Sequence, residues 1–166
     1  MLPRPEPLPA GPGQESVWDY PRPPRVEPFS RQVEVIFAGE TIAVTLAALR
    51  VLETSHPPVY YLPPDSVFPG AVVPNGRTSW CEFKGTASYL DARWKGRTSA
   101  DAAWTYLDPS PGYEALAGYV AFYPARVDVC LVELQPVEPQ PGRFYGGWVT
   151  PDVVGPFKGA PGSEGW

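Results

Sequence analysis

The chain has 166 residues, 43% hydrophobic, 13% aromatic and 19% charged, with a formal net charge of -5. That length suits one domain burying a real core. The aromatic content and low charge exclude a disordered chain, and the negative balance excludes a surface that tracks nucleic-acid phosphates.

No run approaches the ~20 apolar residues of a membrane span. The Met-Leu-Pro-Arg-Pro-Glu-Pro start lacks the apolar core of a secretory signal. The expected setting is therefore cytoplasmic, with Cys81 and Cys130 reduced. The 24 prolines and 16 glycines read as punctuation between many short strands, which predicts an all-β fold.

Residues 1–30 carry nine prolines. Proline fixes φ and removes an amide donor, so this stretch is read as neither helix nor sheet interior. Residues 1–14 are expected to form a flexible tail. Residues 15–30 are expected to lie as an extended arm across a single domain spanning 15–166, because Trp18, Tyr20, Arg22 and Phe29 are costly to leave in water. Val33, Val35 and Phe37 alternate with polar positions, the period of a half-buried strand. Ala38-Gly39 then marks a tight hairpin into a strand over 40–45. Residues 46–53 are read as strand from their β neighbours. Residues 59–62 form a strand between two Pro-Pro pairs, which confines it to a sheet edge or a short ladder. Pro64 opens a single helical turn. Strands follow over 78–83 and 86–90, either side of Gly85, and over 103–106. Residues 113–117 are the one short helix expected, with Ser110 near its cap and Pro111 early in the turn. Strands over 119–123 and 127–134 follow, the latter with Val127, Val129 and Leu131 on one face and Cys130 in the core. After Pro136 the chain reads as coil holding Trp148.

His56 is the only histidine. On an extended chain Glu53 and His56 point to opposite faces, so their pairing needs a bend, and Pro57-Pro58 is placed to impose one. Such a pair suits proton transfer or hydrogen bonding near neutral pH; the alternative is a histidine capping a strand. Cys81 stands three residues before Lys84, and a nearby ammonium favours a reactive thiolate. A straight strand, however, separates the two, and free cysteines are commonly small buried hydrophobes. Lys84-Gly85-Thr86 lacks the glycine order of a phosphate loop. Lys84 instead reads as a point charge for a ligand carboxylate or phosphate, against the plainer reading of a solvated lysine. Lys158 repeats the Phe-Lys-Gly setting. One histidine and two distant cysteines cannot close a zinc site, and no Asp-x-Asp pair offers magnesium ligands, so neither metal nor cofactor is expected. Trp18, Tyr60, Tyr61, Trp104, Tyr145 and Trp148 sit beside chain-stiffening residues, as rings lining a pocket do, with about half expected to be core.

Four sets of phrases carry a family resemblance: Ser16-Val-Trp-Asp-Tyr-Pro-Arg-Pro-Pro24, Val51-Leu-Glu-Thr-Ser-His-Pro-Pro58, Cys81-x-x-Lys-Gly-Thr86, and Phe144-Tyr-Gly-Gly-Trp148 with Gly155-Pro-Phe-Lys-Gly159. Together they resemble the domain of unknown function 427 family over residues 15–166. The resemblance implies a β-tent (Mss4-like) architecture, two antiparallel sheets packed at an angle with a cleft between them. Many relatives of that fold pin the sheets with zinc on two Cys pairs. This sequence lacks those pairs, so a zinc-free apex held by packing is expected. The family also carries a nucleotidyltransferase label. Such enzymes use paired acidic metal ligands, which are missing here, and that activity stands as an alternative.

The resulting expectation is a small-molecule-binding β domain with an aromatic-lined cleft between its sheets. Its expected ligand-binding residues are Trp18, Tyr20, Arg22, Glu53, His56, Tyr60, Lys84, Trp104, Tyr145 and Trp148. The alternative is an enzyme using the same cleft, with His56, Glu53 and Cys81 as candidate catalytic residues. A structural or homodimer-forming module, whose exposed rings form an interface, is the second alternative.

Overall fold

The computed structural model describes residues 4–166, so residues 1–3 of the expected tail lie outside the described residues. The fold is all-β, with four short 3-10 turns and no α-helix among the described residues. The arm supplies β1 (Glu15–Ser16) and β2 (Arg25–Phe29), separated by a 3-10 turn at Val17–Asp19 whose Trp18 amide donates to Ser16 Oγ at 3.3 Å. β3 (Val33–Phe37) buries Val33, Val35 and Phe37, as its alternation predicts, and turns into β4 (Glu40–Thr45). Ala38 and Gly39 have φ of 53° and 77°, the left-handed pair that matches a tight hairpin to strand twist.

β5 (Ala48–Leu52) and β6 (Val59–Tyr61) join β2 in a three-stranded antiparallel sheet of order β2-β5-β6. Pro28 cannot donate to a ladder, and its strand sits at the sheet edge. β6 is the other edge. Just beyond it Leu62 and Val120 exchange both amide–carbonyl bonds at 2.8 Å, tying this sheet to the next.

That next sheet is built on three long strands, β7 (Val72–Cys81), β8 (Gly85–Trp94) and β9 (Arg97–Thr105), joined by β10 (Val120–Phe122) in the order β10-β9-β8-β7. β7, β8 and β9 each run well beyond their predicted lengths. Irregularities between Pro74 and Thr78 and between Leu90 and Ala92 interrupt the alternation, and each bulge shifts the inward face. Asn75 fills the interruption, its Nδ2 donating to Asp91 Oδ1 at 2.7 Å and Asp101 Oδ1 at 2.6 Å.

β11 (Val129–Val132) and β12 (Gln135–Pro136) complete a second four-stranded antiparallel sheet, β12-β11-β3-β4. Cys130 and Val132 are the buried face of β11, while Val129 and Leu131 are half-buried. β13 (Glu138–Pro139) pairs with β14 (Trp148–Val149), and β15 (Val153–Val154) pairs in parallel with β1. Three main antiparallel sheets therefore form where the sequence reading has two. The helix expected over 113–117 is a 3-10 turn, Glu114–Leu116, with no side-chain cap. Ser110 closes a separate turn there, its carbonyl accepting from the Tyr113 amide at 3.0 Å.

The expected loose tail is tied down in part. Leu8 N–H donates to Gly155 O at 2.9 Å, Gln14 Nε2 to Pro151 O at 2.9 Å, and the Arg4 guanidinium lies 4.8 Å from the Trp18 ring centroid. One apolar cluster centres on Val33, Val35, Ile42, Leu62, Phe122 and Trp148. A second, aromatic cluster of Tyr61, Trp104, Tyr106, Tyr113 and Tyr123 lies against Val51. A third joins Trp18 and Tyr20 to Val17, Leu52 and Val153. No helix of the described residues is long and apolar enough to cross a membrane.

Candidate functional site

The second cluster does not close. It leaves a cavity of about 280 Å³ between the sheet β2-β5-β6 and the sheet β10-β9-β8-β7. Val51, Val59 and Tyr61 form one wall, and Ala87, Tyr89, Trp104 and Tyr106 the other. The tip of the β7–β8 hairpin and the segment 140–146 close the sides. Trp104 Nε1 donates to Tyr61 Oη at 3.3 Å, and its ring lies 4.6 Å from that of Tyr123. Burial pushes the Tyr61, Tyr106 and Tyr123 phenols up, so the walls present neutral hydroxyls.

Lys84 is aimed at this hollow by the hairpin. Gly85 follows it with φ of 100°, and a Cβ there would meet Ser110 Oγ at 3.0 Å. Only glycine fits such a bend without strain. The turn is fastened by Ser110 N–H donating to Lys84 O at 2.9 Å. Lys84 is only 9% exposed, and its Nζ lies 5.9 Å from the Tyr106 ring centroid. Among the described residues that ammonium has no hydrogen-bond acceptor and no ion-pair partner, and its Nζ keeps contact with solvent. Cys81 pairs with Gly85 at the hairpin end and lines the same cavity, so the turn overcomes the separation that a straight strand imposes.

Glu53 and His56 meet through a bend, but Pro57-Pro58 does not supply it. Ser55 takes a φ of 73°, and His56 N–H donates back to Glu53 O at 3.0 Å. His56 Nε2 then lies 3.6 Å from Glu53 Oε2, facing it but beyond hydrogen-bond length. Glu53 is held from the other side by Arg22, whose Nη2 is 3.2 Å away.

Gln140 fixes the histidine's tautomer. Its Oε1 accepts from Gly147 N–H at 3.0 Å, and its Nε2 donates to Lys158 O at 2.9 Å. Backbone partners thus define which end of the amide is which. The same Nε2 lies 3.0 Å from His56 Nδ1, which must therefore accept, leaving the proton on Nε2. His56 is 9% exposed. Burial first, then the charges of Lys158, Arg22 and Lys84, push its pKa down to about 3. Near neutral pH it is a neutral donor through Nε2. Lys158 completes this side, with its Nζ donating to the Trp166 main-chain oxygen at 2.9 Å and lying 5.9 Å from the Tyr145 ring centroid.

Of the sequence-predicted ligand-binding residues, Glu53, His56, Lys84, Trp104 and Tyr145 line the cavity. Arg22 stands behind Glu53 as its partner. The others lie elsewhere. Trp148 is 0% exposed, with its Nε1 donating to Phe122 O at 3.0 Å and its ring 4.8 Å from Tyr60. Trp18 and Tyr20 are buried in the arm's own cluster, where Trp18 Nε1 donates to Pro156 O at 2.9 Å. Tyr20 Oη donates to Glu15 Oε1 at 2.9 Å, beside the buried Arg50 that binds both Glu15 and Glu27. These rings serve packing because the arm and closing segment dock onto one another.

Tyr61, one of the rings read from sequence as placed to line a pocket, does so, whereas Tyr106, Tyr123, Gln140, Trp80 and Phe144 were missed as cavity residues. Lys158 carries a usable signal in the repeated Phe-Lys-Gly phrase. Gln140, between prolines in apparent coil, carries none. Among the described residues no three His, Cys, Asp or Glu side chains gather as a metal set.

Fold and site define an all-β protein with a half-open, ring-lined cavity and a largely buried lysine facing it. A family model described as domain of unknown function (DUF427) matches residues 25–133, and the chain belongs to that family. A search of curated proteins finds no match. The matched stretch holds Glu53, His56, Cys81, Lys84 and Trp104, while Gln140, Tyr145 and Lys158 lie beyond it.

Proposed function

We propose that this protein binds a small molecule in the cavity, in the cytoplasm, through an anionic group placed against Lys84 and His56 Nε2–H. The observation that carries the reading is the Lys84 ammonium, 9% exposed, aimed into the hollow and lacking an acceptor among the described residues. Its Nζ meets solvent rather than a protein acceptor, so an anionic guest would replace that water, and a charge-assisted bond of this kind is a strong one. The aromatic walls give such a guest its apolar contact. The β-tent reading belongs to the same proposal, since it puts the guest between two sheets, where the cavity lies.

The test is a native mass spectrum of freshly purified protein, followed by a thermal-shift screen with any hit. A bound anion that Lys84→Met and His56→Ala each displace supports the proposal. A confirmed hit whose affinity both variants leave unchanged removes it.

Catalysis in the same cavity is the second reading, favoured by Glu53 and Cys81 both lining it. With His56 locked as a donor, Glu53 is the base and Cys81 the nucleophile in that case. Turnover of a confirmed ligand that Glu53→Gln or Cys81→Ser abolishes, with binding retained, would establish it.

A further inference from the structure

Resting on the anion-binding reading, we infer that the guest is an aromatic monocarboxylate, held carboxylate-inward with its ring clamped at the mouth between Trp80 and Phe144. Three features of the cavity point to it.

The first is donor count and depth. Two donors without a hydrogen-bond acceptor line the cavity, Lys84 Nζ and His56 Nε2–H, the latter 3.6 Å from Glu53 Oε2, on residues each 9% exposed. A carboxylate offers one oxygen to each, and charge-assisted bonds of this type are the strong ones.

The second is charge balance. Arg22 is committed to Glu53 at 3.2 Å, and Lys158 Nζ to the Trp166 main-chain oxygen at 2.9 Å. Glu82 also lines the cavity, so the carboxylates Glu53 and Glu82 offset two of the three cations Arg22, Lys84 and Lys158. One further negative charge neutralises the site, whereas a phosphate dianion would leave an excess charge.

The third is the mouth. Trp80 and Phe144 line the cavity yet are 72% and 62% exposed. They come from unrelated parts of the chain, the end of β7 and the segment between β13 and β14. Two large rings held in water on either rim gain apolar contact when a flat ring slides between them. The volume of about 280 Å³ lies just below the usual range of ligand pockets, roughly 300–1,000 Å³, and suits a guest of one or two fused rings.

The experiment is isothermal titration of the full chain with three probes: 2-naphthoate, its uncharged analogue 2-naphthamide, and 2-naphthyl phosphate. 2-Naphthoate is expected to bind best, with the amide at least about tenfold weaker for want of the charged hydrogen bond. Lys84→Met brings naphthoate down to the amide's level. Trp80→Ala and Phe144→Ala each weaken it about three- to tenfold, with melting temperatures unchanged because both rings are exposed. Equal binding of amide and carboxylate, or indifference to both ring deletions, overturns the inference. Tighter, Lys84-dependent binding of the phosphate also overturns it while leaving the anion-binding reading standing. No binding of any probe at millimolar concentration overturns it too, and the native mass spectrum then decides the broader reading separately.

Discussion

The neutrality of His56 has a measurable cost in acid. Burial and the cations Lys158, Arg22 and Lys84 take its pKa from an ordinary 6.5 to about 3. The unfolded chain therefore takes up a proton near pH 6.5, and the native protein does not until about pH 3. A group depressed in this way contributes its full stability above the unfolded value. That contribution is lost steadily as pH falls toward the folded value, and no further below it. Each pH unit inside the window removes about 1.4 kcal/mol, so acidification to about pH 5 removes about 2 kcal/mol. His56 is the only histidine, so no other side chain with an ordinary pKa near 6.5 competes in this range. The perturbation is His56→Gln, which stays neutral throughout. The assay is urea unfolding of both proteins at about pH 7.5 and about pH 5, together with NMR of the single imidazole. The wild type should lose about 2 kcal/mol more than the variant, and its imidazole should keep Nδ1 unprotonated across that range. Parallel losses in the two proteins, or an imidazole midpoint near 6.5, would refute the account of a dry, cation-flanked donor.

Gly146→Ala puts a methyl 2.7 Å from Trp104 Cζ3; it should cost about 1–3 kcal/mol by overpacking and change the near-ultraviolet dichroism of that indole. Trp148→Ala empties a fully enclosed site and orphans the Phe122 carbonyl; the expected loss is about 3–5 kcal/mol, read from the urea midpoint. Iodoacetamide should label Cys81 at the cavity and spare Cys130, which is fully buried with its thiol pushed up by burial; peptide mass mapping of the native protein distinguishes them.

The elements that sequence revealed best are those where one local rule governs. Val33, Val35 and Phe37 alternate, Ala38-Gly39 favours left-handed turns, and the hairpin forms as read. β7, β8 and β9 were read short because two bulges break the two-residue period, and because Lys95-Gly96 closes a hairpin, with φ of 49° and 79°, amid charged residues. Lys84 was legible from its glycine neighbour, since a bent backbone redirects the side chain. The ring neighbours of Pro and Gly were not separable into core and cavity. Trp148 and Tyr145 share one phrase, yet one packs on Tyr60 and the other edges His56 at 4.9 Å. That difference is decided by contacts distant in sequence, and no short window contains it. Gln140 shows the same limit, because its role exists only once Gly147, Lys158 and His56 are assembled around it.

The parallel pairing of Glu15–Ser16 with Val153–Val154 acts as a clasp. Lys158 and its Trp166 partner follow in the closing segment, and Trp166 meets Trp18 of the arm edge-on, with ring centroids 5.4 Å apart. Peeling off the arm therefore loosens the strip of chain that completes the hollow. An occupant of the proposed kind would resist that peeling, so saturation should be visible at a distance as slower tryptic cutting after Arg25, which is exposed, and slower amide exchange at Val154. A fragment trimmed to the family-matched stretch, residues 25–133, would keep Lys84 and lose the clasp, and with it Gln140, Tyr145 and Lys158 from the cavity wall.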